Sequence, residues 1–406
     1  MPNHSSCEKA PIFIVGPPRS GTSLLSAIIG SHSNIACGPE TDLFRALPLR
    51  DVEQIVTGEN WCEKATERME EIKYPDGKSI AAHFGLTRVQ LSEHLSNQAA
   101  SAKVIYSSIP AAFADTQGKA RWAEKTPRHL FYVDEIRRVF PDAKIIRIIR
   151  DPRDSIPSVI KNIGLSASLV GEFYRWASVY AKSEPFFRKD PDSITIRYED
   201  LVTNTEEQIA SICDFIGEEF EPSMLDREGA NLVRVASETW KSDIDKKITA
   251  QNVYGWRSNL DVDVARAASL ICCEALEQLE YPDPIKPEKE VKVFPLGENF
   301  GVANESHIID CAKKGYRYTA IGDTYPESMS EALDLYPDVL LGDLPLGKRP
   351  SIRVRRSMHA ISRIIMRFLS RKPVIVDPDI NLGVGALNRM IGKVALVFGT
   401  RKTFAN

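Results

Sequence analysis

The sequence predicts an α/β protein in which a parallel β-sheet is flanked by helices and a phosphate-binding loop follows the first strand. An apolar, β-branched run at 11–15 leads into a glycine-containing loop at 16–23, and an apolar run of helical character follows at 24–29. Later, strand-like runs at 145–149 and 193–198 are each followed by residues with helical periodicity. A strand, a glycine loop and a helix in this order are typical of an anion-binding cradle.

The composition is that of a globular protein, with 43% hydrophobic and 26% charged residues in a chain of 406. The formal net charge of −3 predicts no general attraction for nucleic acid. The seven cysteines contain no C-x-x-C pair and the histidines no H-x-x-x-H pair, so neither a disulfide framework nor a metal site is predicted. Because no apolar run is long enough to span a membrane and the first residues are polar, we expect a cytoplasmic protein.

The loop has the glycine spacing of a Walker A motif at Gly16 and Gly21, but the position of the Walker lysine is occupied by Thr22. The missing lysine argues against chemistry on a nucleoside triphosphate and leaves the anion site intact. Inside the loop stands Arg19, whose planar guanidinium suits a tetrahedral oxyanion. A glycine turn before an ordinary core helix is the alternative that the residues leave open.

The run Gly16-Pro-Pro-Arg-Ser-Gly-Thr-Ser, followed by Pro39-Glu-Thr, resembles the 5′-phosphosulfate loop of sulfotransferases that use 3′-phosphoadenosine 5′-phosphosulfate (PAPS). The nearest branch is that of the protein-tyrosine sulfotransferases and their bacterial relatives, which carry arginine at the position of Arg19. The resemblance implies that Glu40 is the general base, which must lie within hydrogen-bond reach of the acceptor hydroxyl. A helix N-terminal residue stabilised by the helix dipole is the alternative for Glu40. The resemblance also assigns the donor to these loop residues: Arg19, Ser20, Gly21, Thr22 and Ser23.

Residues from about 41 to 120 are mostly polar and of helical character. An insertion at this place in an α/β enzyme usually covers the site, so we expect a helical cap that binds the acceptor. A plain helical layer is the alternative.

A short strand is predicted to end at Lys125, before a helix from about His129 to Val139. The resemblance implies that Lys125 faces the sulfuryl group and the bridging oxygen, where a fixed cation would stabilise the leaving phosphate. The alternative is an exposed lysine at the start of a helix, which the helix dipole disfavours.

The stretch Arg150-Asp-Pro-Arg-Asp-Ser-Ile-Pro-Ser158 resembles the 3′-phosphate motif of sulfotransferases, R-D-x-R-x-S-x-x-S. The resemblance assigns the 3′-phosphate to Arg150 and Ser158. An arginine at a strand end and a serine two turns along the next helix can both reach an anion at the edge of a sheet. For Arg153 we expect only a surface ion pair with Asp151 or Asp154.

Two further donor contacts follow from the resemblance. Tyr198, at the end of the predicted strand 193–198, resembles the tyrosine that contacts adenine, and a core position is the alternative. The lysine-rich segment 241–247 resembles the loop that folds over PAPS, where Lys246 or Lys247 would reach the nucleotide.

We predict a sulfotransferase domain at 1–285, with a helix at 264–279, and a small α/β extension at 286–406, because the sequence around 281–290 is rich in proline and charge. The strands of the extension are expected near 318–321, 339–341, 374–376 and 394–398. Within the extension, residues 351–372 combine an apolar helical face with seven basic residues and no acid. A basic amphipathic helix of this kind suits an anionic membrane surface. Packing of the apolar face within the extension is the alternative.

The predicted activity is therefore metal-free transfer of a sulfuryl group from PAPS to a hydroxyl or amine of a small-molecule, lipid, glycan or peptide acceptor. Protein-tyrosine sulfotransferases are membrane-anchored and lumenal. Because no such anchor is predicted in this chain, we do not expect their substrate class to carry over with their chemistry. Whether the chain forms a homodimer stays open. Two other functions also stay open: a P-loop kinase, and a PAPS-binding module without turnover.

Overall fold

A five-stranded parallel sheet organises the structure, a computed structural model that describes residues 9–74, 76–163, 169–225, 250–251, 253–293 and 308–320. Its strands are β1 Ile12–Val15, β2 Ile35–Cys37, β3 Arg121–Lys125, β4 Lys144–Ile149 and β5 Ser193–Arg197. They are ordered β2-β3-β1-β4-β5, with every neighbouring pair parallel. In this register Ile14 of β1 lies opposite Lys125 of β3 and Ile146 of β4. The predicted α/β fold with a parallel sheet is confirmed.

Helices pack on the sheet, among them those at 22–30 and 102–116, as a parallel sheet with two buried faces requires. The helices as far as the third strand are α1 Thr22–Gly30, α2 Leu43–Ala46, α3 Leu49–Val56, α4 Trp61–Glu71, α5 Ile80–His83, α6 Arg88–Ser96 and α7 Ala102–Thr116. Those after it are α8 Val133–Val139, α9 Pro152–Ile163, α10 Leu169–Lys189, α11 Tyr198–Thr203, α12 Thr205–Ile216, α13 Trp256–Asn259, α14 Val262–Ile271 and α15 Cys273–Gln278. Two 3₁₀ helices span Pro127–Tyr132 and Pro222–Met224.

Strand β1 and the interior of β4 are mostly apolar because both of their faces are buried. All four residues of β1 are buried, and their neighbours include Leu25 and Ile28 of α1. The exception in β4 is Arg147, which is 2% exposed and pairs with Glu184 at 2.5 Å. Its guanidinium also lies 4.1 Å from the ring centroid of Phe187. The buried charge is thus compensated within the core.

The carboxyl ends of all five strands meet at one edge of the sheet, which is where ligands of open α/β sheets bind. The neighbours β1 and β4 form the switch point of the topology, because the chain leaves β1 towards β2 and leaves β4 towards β5 on the opposite side. The predicted site residues from Arg19 to Tyr198 follow these strand ends.

Some predicted boundaries differ from the structure. The helix expected from about His129 to Val139 is a 3₁₀ helix that begins at Pro127 and continues into α8. The helix expected at 264–279 is divided at Cys272, where the backbone angles leave the helical range (φ −98°, ψ 13°). The cap residues do form helices, α2 to α7, with one isolated antiparallel bridge between Lys73 and Ser79.

The described residues form two compact units. The first contains the sheet and comprises residues up to Asn162 together with Val179–Gly255. The second comprises Ile163–Ser178 and residues from Trp256 onward, and it holds a parallel pair of strands, β6 Lys289–Val293 and β7 Tyr316–Ala320. Within the second unit Ala312 packs on Ala267 and Leu270 of α14. The predicted boundary between the sulfotransferase domain and the extension, between residues 285 and 286, stays a prediction.

Several predicted features lie outside the described residues: Lys246, Lys247, the basic helix at 351–372 and the strands expected near 339–341, 374–376 and 394–398. The strand expected at 318–321 corresponds to β7. Among the described helices, none is both long and apolar enough to cross a membrane.

Candidate active site

The loop after β1 is held close to the neighbouring strands by glycine. A Cβ atom on Gly16 would lie 2.3 Å from the carbonyl oxygen of Ile148, so only glycine fits there. The amide of Gly16 donates to the carbonyl oxygen of Pro127 at 3.3 Å. Gly21, at φ 96°, caps α1, and Arg19 also has a positive φ of 62°. The loop thus delivers the N-terminus of α1 to the ligand edge of the sheet.

Polar side chains of the loop fit a phosphate or sulfate group. Ser20 is fully buried, and its Oγ has no hydrogen-bond partner among the described residues. Thr22 is buried and Ser23 is half-buried in the first turn of α1. Because buried hydroxyls are normally hydrogen-bonded, the Ser20 hydroxyl is available to a ligand oxygen at this edge.

The loop contacts the second predicted motif across the switch point. Arg19 Nε donates to Ser158 Oγ at 3.1 Å, although the two residues are far apart in the sequence. Ser158 lies on α9, which follows β4. The residues predicted to bind the two ends of the donor therefore touch each other.

Arg150 and Tyr198 lie together at the ends of β4 and β5. The guanidinium of Arg150 is 4.7 Å from the ring centroid of Tyr198, a cation–π distance. A Cβ atom on Gly21 would come within 2.5 Å of the same ring. Tyr198 therefore packs between the loop and Arg150, although it begins α11 instead of ending the strand.

Arg153 is not the surface residue that we expected. It is completely buried, and it binds Asp151 with two nitrogens, Nε at 3.0 Å and Nη2 at 2.8 Å. The amide of Asp151 donates in turn to Glu199 Oε1 at 3.0 Å. The sequence could not show this burial, because charged pairs near a helix start are usually solvated. The pair fixes the turn from β4 to α9, next to Arg150.

Glu40 and Lys125 form an ion pair at the ends of β2 and β3. Lys125 Nζ donates to Glu40 Oε1 at 2.6 Å, with the lysine side chain 3% and the glutamate 27% exposed. The nearest helix, α2, begins only at Leu43 and has Asp42 as its N-cap, so Glu40 is not a helix residue. A buried cation beside a partly exposed carboxylate can bind an anion and accept a proton at one place.

Behind this pair lies a buried network that the sequence did not reveal. Glu124 accepts hydrogen bonds from the hydroxyls of Thr41 at 2.8 Å and Thr126 at 2.6 Å, and it contacts His129 Nδ1 at 2.8 Å. Burial would raise the pKa of the Glu124 carboxyl, but the nearby imidazole and the two hydroxyls outweigh it and hold that pKa below its ordinary value. The one available signal was a glutamate inside a predicted strand, directly before Lys125.

Two aromatic residues of the cap hold the segment that carries Glu40. The hydroxyl of Tyr74 donates to the backbone oxygen of Glu40. The ring of Phe84 lies so close to Gly38 that a Cβ atom there would be 2.1 Å from Cε1. The cap is thus anchored directly on the turn that follows β2.

The fold and this edge define a class of protein: an α/β protein with a glycine loop after the first strand and with an arginine and a separate lysine at the ligand edge of the sheet. The chain belongs to the sulfotransferase family, since the model described as "Sulfotransferase family" matches residues 11–222. It is therefore a transferase.

The relatives are distant. The chain is 24% identical to protein-tyrosine sulfotransferase 1 of Danio rerio over 300 residues, which is 70% of this chain and 76% of the relative. It is 24% identical to protein-tyrosine sulfotransferase 2 of Gallus gallus over 317 residues, 73% of this chain and 75% of the relative. A solved sulfotransferase domain from the olefin synthase of Synechococcus PCC 7002 matches 70% of this chain and 98% of its own, at 21% identity and a TM-score of 0.46.

Proposed function

We propose that the protein transfers a sulfuryl group from PAPS to a hydroxyl or amine acceptor. The observation that carries the proposal is the 2.6 Å pair of Lys125 and Glu40, which shares one sheet edge with the loop of Arg19. Membership of the sulfotransferase family supports the reaction class.

The donor would bind along the ligand edge. PAPS would supply the sulfuryl group, and adenosine 3′,5′-bisphosphate would remain. The loop hydroxyls of Ser20, Thr22 and Ser23 would hold the 5′ end, and the buried, unpartnered Ser20 hydroxyl supports this assignment. Arg150 and Ser158 would bind the 3′-phosphate, with Tyr198 beside the adenine.

Glu40 would take the proton from the acceptor as the acceptor oxygen or nitrogen attacks sulfur. Lys125 and Arg19 would stabilise the negative charge that collects on the sulfuryl oxygens and on the phosphate oxygen whose bond to sulfur breaks. Both cations are already held at the edge by neighbouring groups, Glu40 and Ser158, so little reorganisation is needed.

The acceptor class stays wide: a small molecule, lipid, glycan or peptide. The Danio rerio and Gallus gallus relatives are named for protein tyrosine, so a phenolic hydroxyl is one of the acceptors to be tested. We propose that the chain acts in the cytoplasm. We also propose that its basic segment 351–372 contacts anionic membranes, which salt-sensitive flotation with phosphatidylglycerol vesicles would test.

The test is incubation of the purified protein and PAPS with cell extract and with a panel of phenols, followed by mass spectrometry for products that have gained SO₃. We expect such products and equal turnover in EDTA, because arginine and lysine provide the cations. Turnover that requires Mg²⁺ and a nucleoside triphosphate would indicate the kinase alternative. Tight nucleotide binding without any product would indicate a binding module.

A further inference from the structure

The segment that carries Glu40 has no regular structure of its own. It runs from the end of β2 at Cys37 to the start of α2 at Leu43. Outside helices and sheet ladders, backbone amides must find other partners if they are buried. The position of Glu40 therefore depends on the side chains that bind this turn.

Besides Tyr74 and Phe84 of the cap, two side chains at the end of β3 bind this turn. Thr126 Oγ1 accepts hydrogen bonds from two consecutive amides, those of Thr41 and Asp42, at 3.1 Å each. The Thr41 amide also reaches Glu124 Oε1 at 3.3 Å, and the Thr41 hydroxyl reaches the same oxygen at 2.8 Å. The two residues directly after Glu40 are thus tied to the two residues on either side of Lys125.

The network is buried and tightly filled. Thr41 and Thr126 are each 1% exposed and Glu124 is 4% exposed. Thr126 donates its own proton to Glu124 at 2.6 Å, which leaves its oxygen lone pairs for the two amides. His129 completes the site at 2.8 Å from Glu124, and Phe44 packs on the His129 ring edge to face. Removal of one member leaves a buried polar group without its partner.

We propose that Glu124 and Thr126 are positioning residues, which hold the backbone of Thr41 and Asp42 and thereby fix Glu40 beside Lys125. This inference rests on the proposed function in one respect, the role of Glu40 as base. We assign neither residue a contact with the reacting atoms. Their effect reaches the reaction only through the location of the Glu40 carboxylate.

Thr126→Val tests the inference, because valine keeps the shape of threonine and removes the hydroxyl. Thr126→Ser keeps the hydroxyl, and Thr66→Val removes a different buried hydroxyl, one that donates to Cys62 within α4 at 2.8 Å. Hydrogen exchange of the Asp42 amide in the free protein, resolved by mass spectrometry with gas-phase fragmentation, reports directly on the bond to Thr126. We expect exchange about tenfold faster or more in Thr126→Val, and no change in the two controls.

Activity provides the second measurement. Misplacement of the base in Thr126→Val should lower kcat by about 10- to 100-fold, while the Kd for adenosine 3′,5′-bisphosphate stays unchanged. In a Glu40→Gln background the same change should cause no further loss of kcat. A crystal structure of Thr126→Val should show the Glu40 and Lys125 side chains apart.

The outcomes separate the two proposals. Unchanged Asp42 exchange in Thr126→Val, or equal acceleration in Thr66→Val, would overturn the positioning role whatever the activity. A kcat loss that persists in the Glu40→Gln background would also overturn it. If the wild-type protein transfers nothing, the proposed function fails, and the exchange data with the crystal structure still decide how the turn is held.

Discussion

At the scale of single residues, we expect the largest effect on turnover from a change to the carboxylate of Glu40. Glu40→Gln should lower kcat by about 10²- to 10⁴-fold, the usual contribution of a general base, because the amide cannot take a proton. Calorimetry should show little change in PAPS affinity. The exposed Glu93 on α6 supplies a matched control, since Glu93→Gln removes the same charge from a helix surface. A loss of less than severalfold would place the base elsewhere.

Loss of the Arg150 side chain should weaken binding of a nucleotide with a 3′-phosphate more than binding of one without it. Arg150→Ala should weaken adenosine 3′,5′-bisphosphate by at least about tenfold, because a charged hydrogen bond contributes about 1.5–3 kcal/mol. Adenosine 5′-phosphosulfate lacks the 3′-phosphate and should lose much less affinity. Calorimetry with both ligands checks this, and equal weakening would remove Arg150 from the 3′-phosphate.

Glu124 should make stability depend on pH. The pKa of its carboxyl in the folded protein lies below the ordinary value of 4.5. Its contribution is therefore present above pH 4.5 and is lost as the pH falls through the lower folded pKa. Urea unfolding at pH 7 should show Glu124→Gln less stable than wild type by about 1–3 kcal/mol. The difference should shrink below pH 4.5, and a constant difference would show that the charge contributes nothing.

At the scale of elements, the phosphate loop depends on Gly21 for two reasons, a positive φ and contact with the Tyr198 ring. Gly21→Ala should lower the free energy of unfolding by about 1–2 kcal/mol because alanine disfavours the left-handed backbone. The clash of the added Cβ atom with the Tyr198 ring should lower it further. Moving the ring from Arg150 should also weaken adenosine 3′,5′-bisphosphate in calorimetry.

Gly77 provides the control, because it has a φ of +84° and nothing within 4 Å of an added Cβ atom. Gly77→Ala should show the backbone cost alone and bind the nucleotide normally. Equal effects of the two variants on nucleotide binding would contradict the role assigned to the Gly21 contact.

Helices and strands could be predicted where the residues that signal them lie close together in the sequence. The runs around Gly16 and Arg150 contain a strand, a turn and a helix start within a few residues, so sequence patterns identify them. The network of Glu124 was not predictable, because its partner Thr41 lies 83 residues away in the sequence. The two meet only because β2 and β3 pair in parallel. The break at Cys272 likewise has no glycine or proline to signal it.

At the scale of the whole molecule, residues beyond 285 take part in packing in the second unit. Ala312, 2% exposed, packs on Ala267 and Leu270, and Arg317 pairs with Glu274 at 2.6 Å. Ala312→Asp would bury an uncompensated charge, so we expect a lower Tm in thermal unfolding. Lys314→Asp adds the same group at an exposed neighbouring position and should leave the Tm nearly unchanged. Equal Tm values for the two variants would contradict this packing.

The strand order has a consequence for how such an enzyme can diversify. The proposed proton acceptor and its lysine stand after β2 and β3, whereas the groups proposed for the nucleotide stand after β4 and β5, with the phosphate loop after β1 between them. All the cap helices are inserted between β2 and β3, on one flank of the sheet. Exchange of that insertion between homologues could therefore alter what is modified while the machinery that reads the donor is inherited intact. The natural crossover points for such chimaeras are the junction between Asp42 and α2 and the residues just before Arg121.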